Sequence, residues 1–445
     1  MTLTEAAFWT KRFGVIALGA FVLFVGVVLI IALSSAGPPP PPRQYLEPNF
    51  ACTPTRDEFL QHRLEIPSLQ LAEGTEMSFD IRTDTGKIDS LPDIINVYRF
   101  NNRTQSITAQ ADAKILARAM GFEPDIIQRV TTEAYRWVDQ ASGRTLEILA
   151  RNLNFNLRTD VAVMRNSSAQ GTLPSEQEAR SIAVNALNSI GVYPPDYTGG
   201  NHRTTLININ PDGSFRKASS LAEADLVRVD FVRTKSMITI PSDIEGAERM
   251  ISDFSRRTLI QPIEENRVIN DQRITVFTFN TLVSFPETQR SNITVYVGPS
   301  ISGVSGRMNQ IYQIDYTYWP IASESCGTYQ LIGPELAIER VQRGEGSLVY
   351  LFNTGIGADD VVDYMPRIVR KFEVLEVFLV YFEGREELEF LQPVYLVSGE
   401  ATFDDGTKGS FDFFYPAINY DIVQDRIEMP LPEVNDGSSS PGILF

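Results

Sequence analysis

Two histidines, His62 and His202, and two cysteines, Cys52 and Cys326, are all that 445 residues contain. That scarcity excludes histidine-rich metal centres and His-Glu-x-x-His proteases, and equally a disulfide-dense scaffold. Positive charge is also short: 39 lysines and arginines stand against 56 carboxylates, for a net charge of −17. A surface of that sign repels phosphate backbones, so nucleic acid is not a partner. Apolar material is ample, at 43% of residues. The chain therefore buries real cores, and at roughly 100 to 200 residues per domain it holds two to four folded units.

One long apolar run occurs. Residues 13–33 read FGVIALGAFVLFVGVVLIIAL without a charge, and at about 1.5 Å per residue such a helix spans the roughly 30 Å hydrocarbon core. The core of a cleaved signal peptide is normally about 7 to 15 residues, and the polyproline run 38–42 close behind Ser34 and Ala36 is a poor setting for cleavage. The run reads as a retained signal-anchor helix. Lys11 and Arg12 precede it and only Arg43 follows, which keeps residues 1–12 in the cytoplasm and places the bulk of the chain outside. Residues 34–50 form a proline-rich linker that holds the first unit off the bilayer. Residues 1–43 carry Lys11, Arg12 and Arg43 against Glu5, a net of +2, which leaves −19 for the exported part.

Three helices are marked by their ends. Thr108 opens one in which Ala113, Leu116, Ala117 and Met120 share a face and Gly121 supplies the stop. Ser175 and Glu178 form a capping box ahead of Ala179, Ile182, Ala183, Ala186, Leu187 and Ile190, ended by Gly191. Pro334 starts a third, with Leu336, Ala337 and Val341, stopped by Gly344. The first two close alike, on Gly121-Phe122-Glu123-Pro124-Asp125 and Gly191-Val192-Tyr193-Pro194-Pro195-Asp196, and each precedes hairpin-like sequence. The segment 242–270 carries Ile244, Ala247, Met250, Ile251 and Phe254 on one helical face, as a decoration of the middle unit. Period-two alternation is strongest at Tyr312, Ile314, Tyr316 and Tyr318, with Gln313, Asp315 and Thr317 on a wet face. It recurs at Leu375, Val377, Leu379 and Tyr381, ahead of an antiparallel meander around the Asp404-Asp405-Gly406 turn. The expected architecture is α+β: one N-terminal transmembrane helix, then two to three small helix-on-antiparallel-sheet units. These occupy 51–170, 171–325 with an insertion, and 326–428, with a disordered tail at 429–445.

No constellation for chemistry emerges. Gly303-Val304-Ser305-Gly306 lacks the spacing of a nucleophile elbow, and Ser214-Phe215-Arg216-Lys217 matches SxxK by letter but follows a turn. Gly355-Ile356-Gly357 has Asp360 where a dinucleotide loop needs its third glycine. Asp359, Asp360 and Asp363 lack EF-hand spacing and suit a solvated helix start. Catalytic, cofactor and metal residues are thus assigned to none. Cys52 and Cys326 form a possible disulfide, which export permits; spacing leaves a bridge and two separate thiols equally open. Asn102, Asn166 and Asn292 fit N-x-[ST] at the frequency of chance, and the source reads as bacterial.

The anchor, the helix-then-hairpin units, and the run Tyr329-Gln330-Leu331, Pro334-Glu335-Leu336-Ala337 and Gly344-Glu345-Gly346 together resemble the bacterial PepSY-like and YycH/YycI-like extracytoplasmic proteins. So does the ending, with Leu391-Gln392-Pro393-Val394-Tyr395 and Pro416-Ala417-Ile418. The resemblance covers the last third well and the rest loosely. It implies a single-pass cell-envelope protein that is not an enzyme and acts by protein–protein interaction on an extracytoplasmic or membrane partner. A charged partner would be basic, given the acidic exterior. The competing classes are an envelope enzyme acting on wall or surface polymer, which needs a cleft with convergent shifted carboxylates, and a structural subunit, which needs a large apolar patch. A binding module needs a groove or an exposed sheet edge.

Overall fold

The computed structural model describes residues 48–425 apart from 84–92, 103–105, 132, 198–201, 245, 259, 270–271, 354–363 and 365. The apolar run 13–33, the proline run and the C-terminal tail lie outside the described residues, as do Gly355 to Asp363. The chain opens with helix α1 (Arg56–Leu60) and strands β1 (Phe79–Ile81) and β2 (Ile94–Arg99), then α2 (Ala109–Ala119), β3 (Arg129–Val130), β4 (Ala134–Asp139), β5 (Arg144–Leu149) and β6 (Phe155–Thr159). Next come α3 (Val161–Gln170), α4 (Glu176–Ser189), β7 (His202–Ile209), β8 (Phe215–Lys217), β9 (Leu226–Phe231), β10 (Thr234–Pro241), α5 (Ala247–Thr258), β11 (Ile263–Ile269) and β12 (Gln272–Ser284). The last part holds β13 (Ile293–Val297), β14 (Ile311–Tyr316), β15 (Gly327–Gln330), α6 (Pro334–Gln342), β16 (Ser347–Asn353), β17 (Val369–Phe382), β18 (Phe390–Phe403), β19 (Lys408–Pro416) and α7 (Tyr420–Asp425).

The expected α+β plan of a membrane-spanning helix followed by small helix-on-sheet units is corrected here. The protein is mostly β, built on two large sheets. No described helix is long and apolar enough to cross a membrane. Nine strands run in the order β3-β4-β5-β6-β14-β13-β9-β7-β8, and ten form the second sheet around the path β10-β12-β17-β18-β19-β16. In the latter, β1 adds to β17, β11 to β12, β2 to β18 and β15 to β2. The units miss because strand partners are remote: β9 pairs with β13, and β2 with β15 and β18. Local periodicity marks a strand's faces but not its neighbours.

The helix ends form as their residues dictate. Ser175 and Glu178 make both bonds of the capping box. Gly121, Gly191 and Gly344 take positive φ, and each stop is sealed by the same backbone bond: Phe122 N–H to Ala117 O, Val192 N–H to Leu187 O and Glu345 N–H to Arg340 O, all 3.0 Å. Thr108 departs from expectation, its hydroxyl donating to Asp112 rather than to a helix N–H. In α6, Ile338 is buried where Leu336 was expected. Helices α2 and α4 cover one face of the nine-stranded sheet, joining Ala113, Leu116, Ala183 and Leu187 to Trp137, Ile148, Val229 and Val295 in one core. Among the described residues of 242–270, only 247–258 are helical; residues 263–269 pair with β12 as β11. Phe254 of α5 packs on Phe279 of the ten-stranded sheet, 4.6 Å between centroids.

Because β3–β9 and β13–β14 belong to one sheet and the remaining strands to the other, the chain crosses between them four times. Two of the crossings are held by polar contacts. In the β9–β10 crossing, Arg233 Nη2 donates to Glu383 at 2.6 Å and to the Trp319 carbonyl at 2.9 Å, while Nη1 donates to Asp196 at 3.1 Å. Trp319 Nε1 donates to the Gly384 carbonyl. In the β12–β13 crossing, the Gln289 carbonyl accepts from Arg228 at 2.6 Å, and Thr288 donates to Asp412. Cys52 and Cys326 are joined as a disulfide, Cα atoms 4.6 Å apart. It fixes the N-terminal segment beside Phe59, Tyr329, Phe390 and Tyr420.

Candidate functional site

Strand β17 is fourteen residues long and is paired with β18 along its length. Its other edge is filled discontinuously. At the lower end β1 runs parallel to it, Phe79 opposite Phe372 and Ile81 opposite Val374, and the Arg82 N–H continues the ladder to the Val374 carbonyl. At the upper end β12 runs parallel, Val283 opposite Tyr381 and Ser284 opposite Phe382. Between them, from Leu375 to Phe378, no described strand pairs with this edge. The opening closes where the Thr281 hydroxyl donates to the Leu379 carbonyl at 2.7 Å. Four residues of strand correspond to roughly 13 Å, enough for a short extended segment.

A bulge in the pairing with β18 lies at the level of this opening. Val374 faces Gly399 and Glu376 faces Ser398, so Leu375 is the extra residue. It is 45% exposed although the alternation places it inward, and the bulge restores Val377, Leu379 and Tyr381 to the face of Phe372 and Val374. Gly399 is obligatory opposite it, since a Cβ there would lie 2.0 Å from the Glu373 carbonyl. Phe378 is 42% exposed on the opposite face. Ile81 and Leu282, on the strands bounding the opening, are exposed as well. Sequence reasoning missed the bulge because strand parity makes no allowance for one; Gly399, inside a strand, was the available signal for it.

Other features do not converge on chemistry. Burial raises the carboxyls of Glu383 and Asp412 above their ordinary values. Both are sealed inside, Glu383 against Arg233, and Asp412 between the Ser398 and Thr288 hydroxyls. Among the described residues no group of three or more His, Cys, Asp or Glu could hold a metal ion. A cleft of about 160 Å³ lined by Arg63, Leu64, Ile66, Glu345, Ser347, Tyr415 and Pro416 is below the roughly 300 to 1,000 Å³ of small-molecule sites. His202 is packed edge-on against Phe231 and His62 against Phe390. Ser214 donates to Asp212 in the turn before β8, away from any helix start.

No protein-family model and no curated protein matches the chain. A crystal structure of an uncharacterized protein from Eubacterium rectale aligns with 79% of this chain and 91% of its own, at 11% identity and a TM-score of 0.36. That likeness is too distant to carry an argument, and the resemblance to PepSY-like and YycH/YycI-like proteins gains no support from these comparisons.

Proposed function

We propose that the protein is an extracytoplasmic binding module, which engages a protein partner by adding an extended segment of that partner to the edge of β17. The observation that carries this reading is the interrupted lane between β1 and β12. Unpaired strand edges are the usual template for strand addition, in which main-chain bonds supply affinity and alternate side chains supply selectivity. The disulfide supports an oxidising compartment. The test is a photoreactive amino acid at Leu375, compared with one at the equally exposed Leu221, in intact envelopes. An adduct formed from position 375 and mapped to one extended segment, without an equivalent from 221, is the expected outcome. No adduct from 375, or identical adducts from both positions, would overturn it.

A further inference from the structure

The side chains around the opening define what the added segment carries. On one face, Val377 packs against two adjoining apolar clusters at once. Both strands that flank the opening place an apolar residue on that face: Phe79 of β1 stacks on Phe372, and Val283 of β12 joins the cluster of Leu379 and Tyr381. A segment continuing their lane in the same parallel sense meets that seam with every second side chain. The other face is charged. Lys371 bonds Asp80 and Glu373, Arg82 bonds the same two carboxylates, and Lys408 bonds Glu400. Glu376 is exposed and, among the described residues, has no ion-pair partner. Phe378 shares its face two residues on, with its ring exposed. A cationic side chain laid between them meets a carboxylate and an aromatic ring together.

We propose that the occupant of this lane is an extended segment parallel to β17 in which apolar residues alternate with lysine or arginine; this rests on strand addition at that edge. Glu376 and Phe378 select the basic positions, and the Val377 seam selects the apolar ones.

The experiment uses the full chain in detergent, carrying the photoreactive residue at position 375, with fluorescent seven-residue peptides of alternating Val and Lys, alternating Val and Glu, and the Val/Lys composition in blocks. The alternating Val/Lys peptide should bind at least about threefold more tightly than Val/Glu, the swing expected of one cross-strand charge pair. It should weaken with salt, cross-link from position 375, and lose its preference in Glu376→Lys. Equal binding of both alternating peptides with cross-linking from 375 would overturn the basic occupant and leave strand addition standing. Preference for Val/Lys that survives Glu376→Lys, or is matched by the block peptide, would assign binding to the general acidic surface and overturn the inference. Absence of cross-linking with every peptide would overturn the occupant and strand addition together.

Discussion

Arg233 is the residue on which the two sheets depend most directly. Its guanidinium is almost fully buried and holds Glu383, itself buried, while reaching Asp196 on the other side of the junction. Truncating one partner of such a pair leaves the other charge desolvated, at about 3 to 5 kcal/mol. Arg233→Met should therefore lower stability by about that amount in urea unfolding, and Arg233→Met/Glu383→Gln should recover part of it. Asp412 tests burial in another way. Its carboxyl is pushed up by burial, against the Ser398 and Thr288 hydroxyl bonds that pull it down. The folded state thus holds this proton more tightly than the unfolded chain, so the residue's contribution is fully present below the ordinary carboxylate value and is lost as pH rises through the raised one. Asp412→Asn removes that loss while keeping groups that can bond both hydroxyls. The difference in Tm, variant minus wild type, should grow from pH 4.5 to pH 7.5; a constant difference would show that Asp412 does not titrate in this window.

At the scale of elements, β17 and β18 are set by the pairing of a bulge with a glycine. Gly399→Val drives a side chain into the Glu373 carbonyl, and should cost at least the roughly 1 to 3 kcal/mol of an overpacked site. Thermal melts check it, with Gly74→Ala, where a Cβ meets nothing within 4 Å, as a control limited to the local φ penalty. The same geometry explains how much of the molecule was legible beforehand. Helices α2, α4 and α6 and the hairpin turns were readable because caps and C-terminal glycines act within a few residues of each other. Tyr312 and Leu375 were misplaced because each is the extra residue of a bulge: Tyr312 leaves the core of Ile311 and Ile314 for the cluster around Tyr296, and Leu375 is turned outward. Gln313, expected to be wet, is buried and donates to Asp315. The candidate edge was not legible at all, because it is defined by what β1 and β12 leave unpaired among the described strands, and their register against β17 is set by contacts about 300 and 100 residues distant in sequence.

At the scale of the whole molecule, the N-terminal segment is strapped to the ten-stranded sheet at several points. Cys52 bonds Cys326, the Leu64 N–H donates to the Tyr420 hydroxyl, Gln392 donates to the His62 carbonyl, and the Leu69 N–H donates to the Leu348 carbonyl. Cys52→Ser should destabilise the protein by about 2 to 4 kcal/mol. The first sign should be protease cleavage near residues 52–66 at temperatures where the wild-type chain is resistant. Equal resistance would show that the apolar cluster of Phe50, Phe59 and Tyr329 holds the segment without the bond. The proposed placement of this body outside the membrane has its own check: protease added to intact spheroplasts should digest it.

The four crossings also have a consequence for the order of events during synthesis. The nine-stranded sheet cannot close until Tyr316 has emerged, because β14 is its central link between β6 and β13. The ten-stranded sheet must wait longer still, for β18 and β19. Strand β2 and Cys52 are made early, yet their partners follow more than 200 residues later. The nine-stranded sheet is finished only after β1, β2 and β10–β12 of the other have been translated, and a chain emerging one end first must keep early strands and an early thiol unpaired for most of its passage. A protein so laid out depends on delayed closure: truncation before Tyr316 should leave both sheets incomplete, and truncation between Tyr316 and Pro416 should leave the ten-stranded sheet incomplete.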